Sequence, residues 1–190
     1  MGDQFRIVYT NCKYNVRKEK RMNGNNIILI GMPGSGKSTA GVILAKVLGY
    51  GFIDTDILIQ MHSNARLEEI IASKGIDGFL EVESEVCSSI DVTHTVIATG
   101  GSAVYSDRAM QHLKTLGKIV YLEVGINDLK ERLSDMKKRG VVLKENQTLE
   151  NLLEERAGLY NKYADIVVNE SGLGLEETVE QIREKWLAQN

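Results

Sequence analysis

Short apolar runs alternate with longer amphipathic stretches along the whole chain. Residues 27–30 (IILI), 51–54 (GFID), 95–98 (TVIA), 118–124 (KIVYLEV) and 165–168 have the length and the β-branched content of strands. Between them apolar positions recur at helical spacing, over 40–48, 57–60 with 67–73, 77–90, 107–116, 128–138, 149–163 and 175–186. Strands that are apolar throughout are buried on both faces, and regular alternation with helices supplies the covering layers. The pattern therefore predicts an α/β fold: a three-layer α/β/α arrangement around a five-stranded parallel sheet. At 190 residues the chain suits a single core. Residues 1–22 show no period and end in a basic cluster, so they read as an extension ahead of one domain over 23–190.

In a parallel α/β sheet, ligands bind beyond the carboxyl ends of the strands, so the segments after each strand carry the interest. The first is GMPGSGKST at 31–39, with the spacing G-x-x-x-x-G-K-[ST] between an apolar strand and a helix. Glycines there let several backbone N–H groups turn inward around a phosphate, the helix start adds its positive end, and Lys37 neutralises charge. Gly34, Ser35, Gly36, Lys37, Ser38 and Thr39 are thus candidate nucleotide-binding residues. After the second strand stands Asp54-Thr55-Asp56. Phosphoryl transfer needs Mg²⁺ across the terminal phosphates and a group that orients the attacking hydroxyl. Ser38 and Asp54 suit the metal, and Asp56 suits the hydroxyl; in an extended chain the two carboxylates would face the same way. One of the pair, Asp56 in particular, could instead cap the next helix.

Thr99-Gly100-Gly101-Ser102 follows the third strand, where paired glycines would let a substrate lie against backbone amides. Arg156 stands on the apolar stripe of Leu149, Leu153 and Tyr160, so it needs an anion, either an internal carboxylate or a bound substrate. Arg132 and Arg139 share a helix face, and the segment GVVLKENQT after them reads as a loop able to close over nucleotide. Glu83 lies on an apolar stripe with Phe79, Val86 and Ile90, either as a satisfied buried carboxylate or as a substrate contact.

Charge adds exclusions. With 23 basic against 26 acidic residues and a net charge of -3, no basic surface for nucleic acid or membrane is predicted, and 6% aromatic content is low for base stacking. No apolar run reaches membrane-spanning length and no signal-peptide core opens the chain, so a cytoplasmic protein with small-molecule partners is expected. Cys12 and Cys87 read as free thiols.

Taken in order, GMPGSGKST, FIDTD, the F-x-x-x-E of Phe79 and Glu83, ATGGS, the basic helix ending KKRG and ERAGLYNKYAD resemble the shikimate kinases, small members of the nucleoside-monophosphate-kinase-like group, from about residue 25 onward. The resemblance implies a P-loop kinase fold with a mobile lid near 137–148, ATP as co-substrate, Mg²⁺ and a monomer. It implies that Lys37 and Asp56 act in catalysis, that Asp56, Gly100, Gly101 and Arg156 hold substrate, that Arg132 and Arg139 face nucleotide or lid, and that Ser38 and Asp54 serve the metal. Three positions depart from the family pattern: Leu80 replaces an arginine that would meet the substrate carboxylate, Ser102 ends what is usually a triple glycine, and Arg139 is followed by Gly140-Val141-Val142. The expected activity is phosphorylation of a hydroxyl on a small polar metabolite, with shikimate the leading acceptor. The alternatives are a different hydroxy acid, polyol or nucleotide acceptor, or a nucleotide-binding relative without turnover.

Overall fold

The computed structural model describes residues 25–132 and 147–189 of the chain. Residues 1–22, Cys12, Arg139 and most of the segment predicted as a lid lie outside them. The strands are β1 (Asn26–Ile30), β2 (Gly51–Asp54), β3 (Thr95–Ala98), β4 (Gly117–Glu123) and β5 (Ile166–Asn169). They form one parallel sheet in the order β2-β3-β1-β4-β5. The helices are α1 (Lys37–Leu48), α2 (Thr55–Ser63), α3 (Leu67–Ser89), α4 (Asp107–Leu116), α5 (Ile126–Arg132), α6 (Leu149–Tyr163) and α7 (Leu175–Leu187). Every predicted strand is present to within one or two residues. The stretches predicted separately over 67–73 and 77–90 join as α3 but break at Gly75, whose φ of 72° is one that a residue with a side chain rarely adopts.

The period of two along each strand sorts the core into two layers. Ile28, Ile30, Ile97, Ile119 and Tyr121 face one cluster with α2, α3, α4, α5 and α6. Ile27, Leu29, Val96, Val120 and Leu122 face the other with α1 and α7. All five residues of β1 are buried, as a central strand covered on both faces requires. β5, at the edge, keeps alternation instead, with Val167 38% exposed. Among the described residues no helix is long and apolar enough to cross a membrane.

Asn26 sets the register at the amino end of β1. Its side chain is buried, donates to Val92 O at 2.8 Å and Leu116 O at 2.9 Å, and accepts the Thr95 N–H at 2.9 Å. One residue thereby ties β1 to the chain entering both of its neighbours. Asn26→Ala leaves one buried and two half-buried backbone groups without this partner, so a loss of about 2–4 kcal/mol in urea-induced unfolding is expected, with the denaturant slope unchanged.

Candidate active site

β1 delivers the chain into the glycine loop near the middle of the sheet. Gly31, Gly34 and Gly36 all take positive φ, and Gly36, at φ 84°, caps α1 without a side-chain acceptor. The first N–H groups of α1 are therefore open to a ligand. Ser38 and Thr39 are exposed beside them. Lys37 folds back over its own loop, donating to Gly31 O at 2.9 Å, Met32 O at 2.8 Å and Ser35 Oγ at 3.4 Å. Burial lowers its ammonium to about 8, against the fields of Asp56 and Asp54.

β2 ends at Asp54, and the structure corrects two expectations there. The cap of α2 is Asp54, whose Oδ1 accepts the Asp56 N–H at 2.9 Å, and Asp56 already lies in the helix's first turn rather than on extended chain. The helical turn aims Asp56 into the cavity, where burial, then Asp54, raises its carboxyl to about 6 while Lys37 opposes.

The loop after β3 also differs from expectation. The Gly100 N–H is committed to Thr55 Oγ1 at 3.0 Å, so it is no free amide for a substrate. What Gly100 supplies is room, because a Cβ there would stand 2.1 Å from Glu83 Oε1 and 2.9 Å from Asp56 Oδ1. A Cβ on Gly101 would meet Pro33 Cδ at 2.6 Å and Arg156 Nη1 at 3.1 Å. The Gly101 carbonyl accepts from Tyr160 Oη at 2.7 Å. The glycine loop, the loop after β3 and α6 thus meet at one glycine.

Arg156 is 2% exposed. Its Nε donates to Tyr105 Oη at 3.1 Å, and its guanidinium stands 5.1 Å from the centre of that ring. The buried stripe of α6 runs Leu149, Leu152, Arg156, Tyr160 and Tyr163, with Leu153 only half-buried. Among the described residues no carboxylate lies within ion-pair distance of Arg156. Glu83 faces the same cavity, 1% exposed, with burial raising its carboxyl to about 7.

A single cavity of about 500 Å³ joins these groups, lined by Gly34, Gly36, Lys37, Ser38, Thr39, Asp56, Gly100, Gly101, Arg132 and Arg156. Ser35 lies buried behind it, holding Lys37. The same wall also includes Glu170, Leu173, Leu175 and Thr178. Arg132 donates to Glu170 Oε2 at 2.8 Å, a pair that sequence reasoning missed. Glu170 directly follows β5, so the rule of looking after each strand could have found it.

The shikimate kinase family model matches residues 33–186. A shikimate kinase of Rippkaea orientalis is 41% identical over 161 residues, covering 82% of this chain and 85% of its own. Among solved structures, shikimate kinase from Acinetobacter baumannii in complex with shikimate matches with a TM-score of 0.79 at 31% identity, over 88% of this chain and 95% of its own. The enzyme from Aquifex aeolicus matches at 0.71 and 33% identity, over 84% and 94%.

The raised carboxyl of Glu83 has a thermodynamic signature. The fold keeps its proton from about pH 4.5 to about 7 while the unfolded chain gives it up, so this contribution is intact below pH 4.5 and lost as pH climbs through 7. Glu83→Gln removes that dependence. Its thermal midpoint, relative to the parent, is expected to improve from pH 5 to about pH 7 and to level off above that; a constant offset would show that Glu83 is ionised throughout.

Proposed function

The chain belongs to the shikimate kinase family of ATP-dependent kinases, and from that premise we propose that it transfers the γ-phosphoryl group of ATP to the 3-hydroxyl of shikimate. The observation that carries the acceptor is Arg156, a buried guanidinium that faces the cavity beside Asp56 without a carboxylate of its own. An unpaired buried cation calls for an anion, and the acceptor's carboxylate supplies it as a charge-assisted pair.

The remaining roles follow from placement. Asp56 accepts a hydrogen bond from the reacting hydroxyl and takes its proton as the oxygen–phosphorus bond forms and the bond to the β-phosphate oxygen breaks, releasing ADP. Lys37 leaves its loop carbonyls for the phosphates, and the open amides at the start of α1 hold them. Gly101 keeps the acceptor loop against Pro33 and Arg156, so the two substrates are presented to each other. Arg132, pinned by Glu170, borders the nucleotide. Arg139 would serve the same side of the reaction from outside the described residues.

Mg²⁺ fits the oxygens present. Ser38 is exposed at the loop's end, and Asp54 commits one oxygen to its helix cap and keeps the other. Such a sparse protein set suits an ion that draws its other ligands from phosphates and water. When bound, the ion neutralises charge on the transferring phosphate. In the same reading the enzyme works as a cytoplasmic monomer, since one chain supplies both ends of the cavity.

One observation favours a second acceptor of related chemistry. Leu80 is half-buried against the core where family members carry a cation, so Arg156 alone would meet the carboxylate. A coupled ADP-release assay with shikimate beside other hydroxy acids and polyols decides between them; turnover with another acceptor and none with shikimate would overturn the assignment. Arg156→Ala is expected to raise the acceptor KM by about 10- to 100-fold, the loss of one charge-assisted contact, with the ATP KM unmoved. Asp56→Asn is expected to lower kcat by about 10²- to 10⁴-fold, read in the same assay.

A further inference from the structure

Tyr105 has no part in the transfer described above, yet it is the residue that holds Arg156. It ends the 3₁₀ turn Ala103–Tyr105 after β3, where its backbone N–H donates to Ser102 O at 2.9 Å. The side chain is half-buried and lines a second cavity of about 470 Å³ rather than the main one, so it meets Arg156 from outside the main cavity. Its hydroxyl has one proton, which goes to Glu155 Oε1 at 2.8 Å, so toward Arg156 the oxygen can only accept. It accepts from Nε at 3.1 Å, with the ring centre 5.1 Å from the guanidinium carbon. Burial holds the phenol above its usual range, which keeps the proton on Oη. Glu155, exposed on α6, is held in turn by the Gln147 side-chain amide at 2.8 Å.

These bonds decide which donors Arg156 has left. A guanidinium meets a carboxylate side-on through Nε and one Nη, or end-on through both Nη groups. The side-on mode is closed where Nε is taken. Nη1 stands 3.1 Å from the position of a Cβ on Gly101, which puts the end of the fork at the wall of the main cavity. We propose that Tyr105 is a positioning residue for Arg156: by occupying Nε it turns the two Nη groups toward the cavity and makes the acceptor's carboxylate bind end-on. The inference rests on the reading of Arg156 as the group that meets that carboxylate, and adds the residue that aims it. Ring and hydroxyl together leave the arginine few rotamers, so its ordering is done in the fold rather than at binding. Glu155 acts one step further out by fixing where the Tyr105 proton points. Selectivity follows, because a carboxylate accepts from both Nη groups whereas a primary amide offers one oxygen and sets its own NH₂ against the other donor.

Steady-state kinetics on the full chain with shikimate, ATP and Mg²⁺ test this, with the primary carboxamide of shikimate as a competitor read by its inhibition constant. The parent is compared with Tyr105→Phe, which keeps the ring and removes the hydroxyl, with Glu155→Ala, with Arg156→Lys, and with Tyr105→Phe and Arg156→Lys combined. Tyr105→Phe is expected to raise the shikimate KM about 3- to 10-fold, with kcat, the ATP KM and the amide's inhibition constant each within about twofold. Glu155→Ala should act in the same direction to a smaller extent, and the combined variant should match Arg156→Lys, which has no guanidinium to aim. A shikimate KM that is unchanged in Tyr105→Phe, or that rises in step with the amide's inhibition constant as a general disturbance of the site would cause, overturns the inference and leaves the acceptor reading standing. Should Tyr105→Phe fail to fold, the acid-to-amide comparison in Glu155→Ala decides in its place. If the parent ignores shikimate but phosphorylates another hydroxy acid, the acceptor reading falls and the same comparison with that acid and its amide decides the inference. A parent that turns over only acceptors without a carboxylate, or none at all, overturns both.

Discussion

The burial of β1 between two strands and two helical layers is the constraint from which the rest of the site follows. A strand hydrogen-bonded on both edges and covered on both faces cannot shift register without exposing apolar residues or losing ladder bonds, so the point where it ends is held in place. The glycine loop begins there. β3 ends beside it on one side and β4 on the other, which brings the loop after β3 and the segment leading to α5 to the same edge. Strand order, rather than proximity in sequence, is what sets Lys37, Asp56, Gly101 and Arg156 around one cavity.

That cavity collects ionisable groups at some cost to the fold. Lys37, Glu83 and Arg156 are buried and Asp56 half-buried, and of these four only Glu83 keeps a buried side-chain oxygen without a hydrogen-bond partner. Lys37 rests on backbone carbonyls, Arg156 on a tyrosine ring and hydroxyl, and Glu83 on one serine. Both carboxyls are pushed upward chiefly by burial and the ammonium downward, as burial disfavours the charged form of each. Glu170 and Arg132 contrast with these, because they already pair with each other.

Much of the fold is legible in the linear pattern. The five strands and the helices between them are periodic and bounded by turn residues, and parallel pairing follows from their alternation. The glycine loop, Asp56 and Arg156 are legible for a different reason: their residue types are wrong for plain structure at those places, whether a charge on an apolar stripe or glycines with a lysine after a buried strand. Boundaries were less legible. Asn26 belongs to β1 because its amide ties together three distant backbone groups, and nothing adjacent to it in the chain announces that.

The sequence by itself determined the chemistry on offer: a phosphate loop, carboxylates after β2, an arginine needing an anion, and the class of sheet that gathers such groups at one edge. Only the tertiary structure decided how those groups are spent. Asp54 caps its helix while Asp56 turns into the cavity, and the Gly100 amide goes to Thr55 so that its lack of a side chain is what matters. Among the described residues Arg156 finds no carboxylate partner, and Glu83 Oε1 finds no hydrogen-bond donor. The physical reason is that hydrogen bonding and burial are exclusive: each donor, oxygen and unit of space is used once, and which neighbour uses it depends on residues far away in the chain.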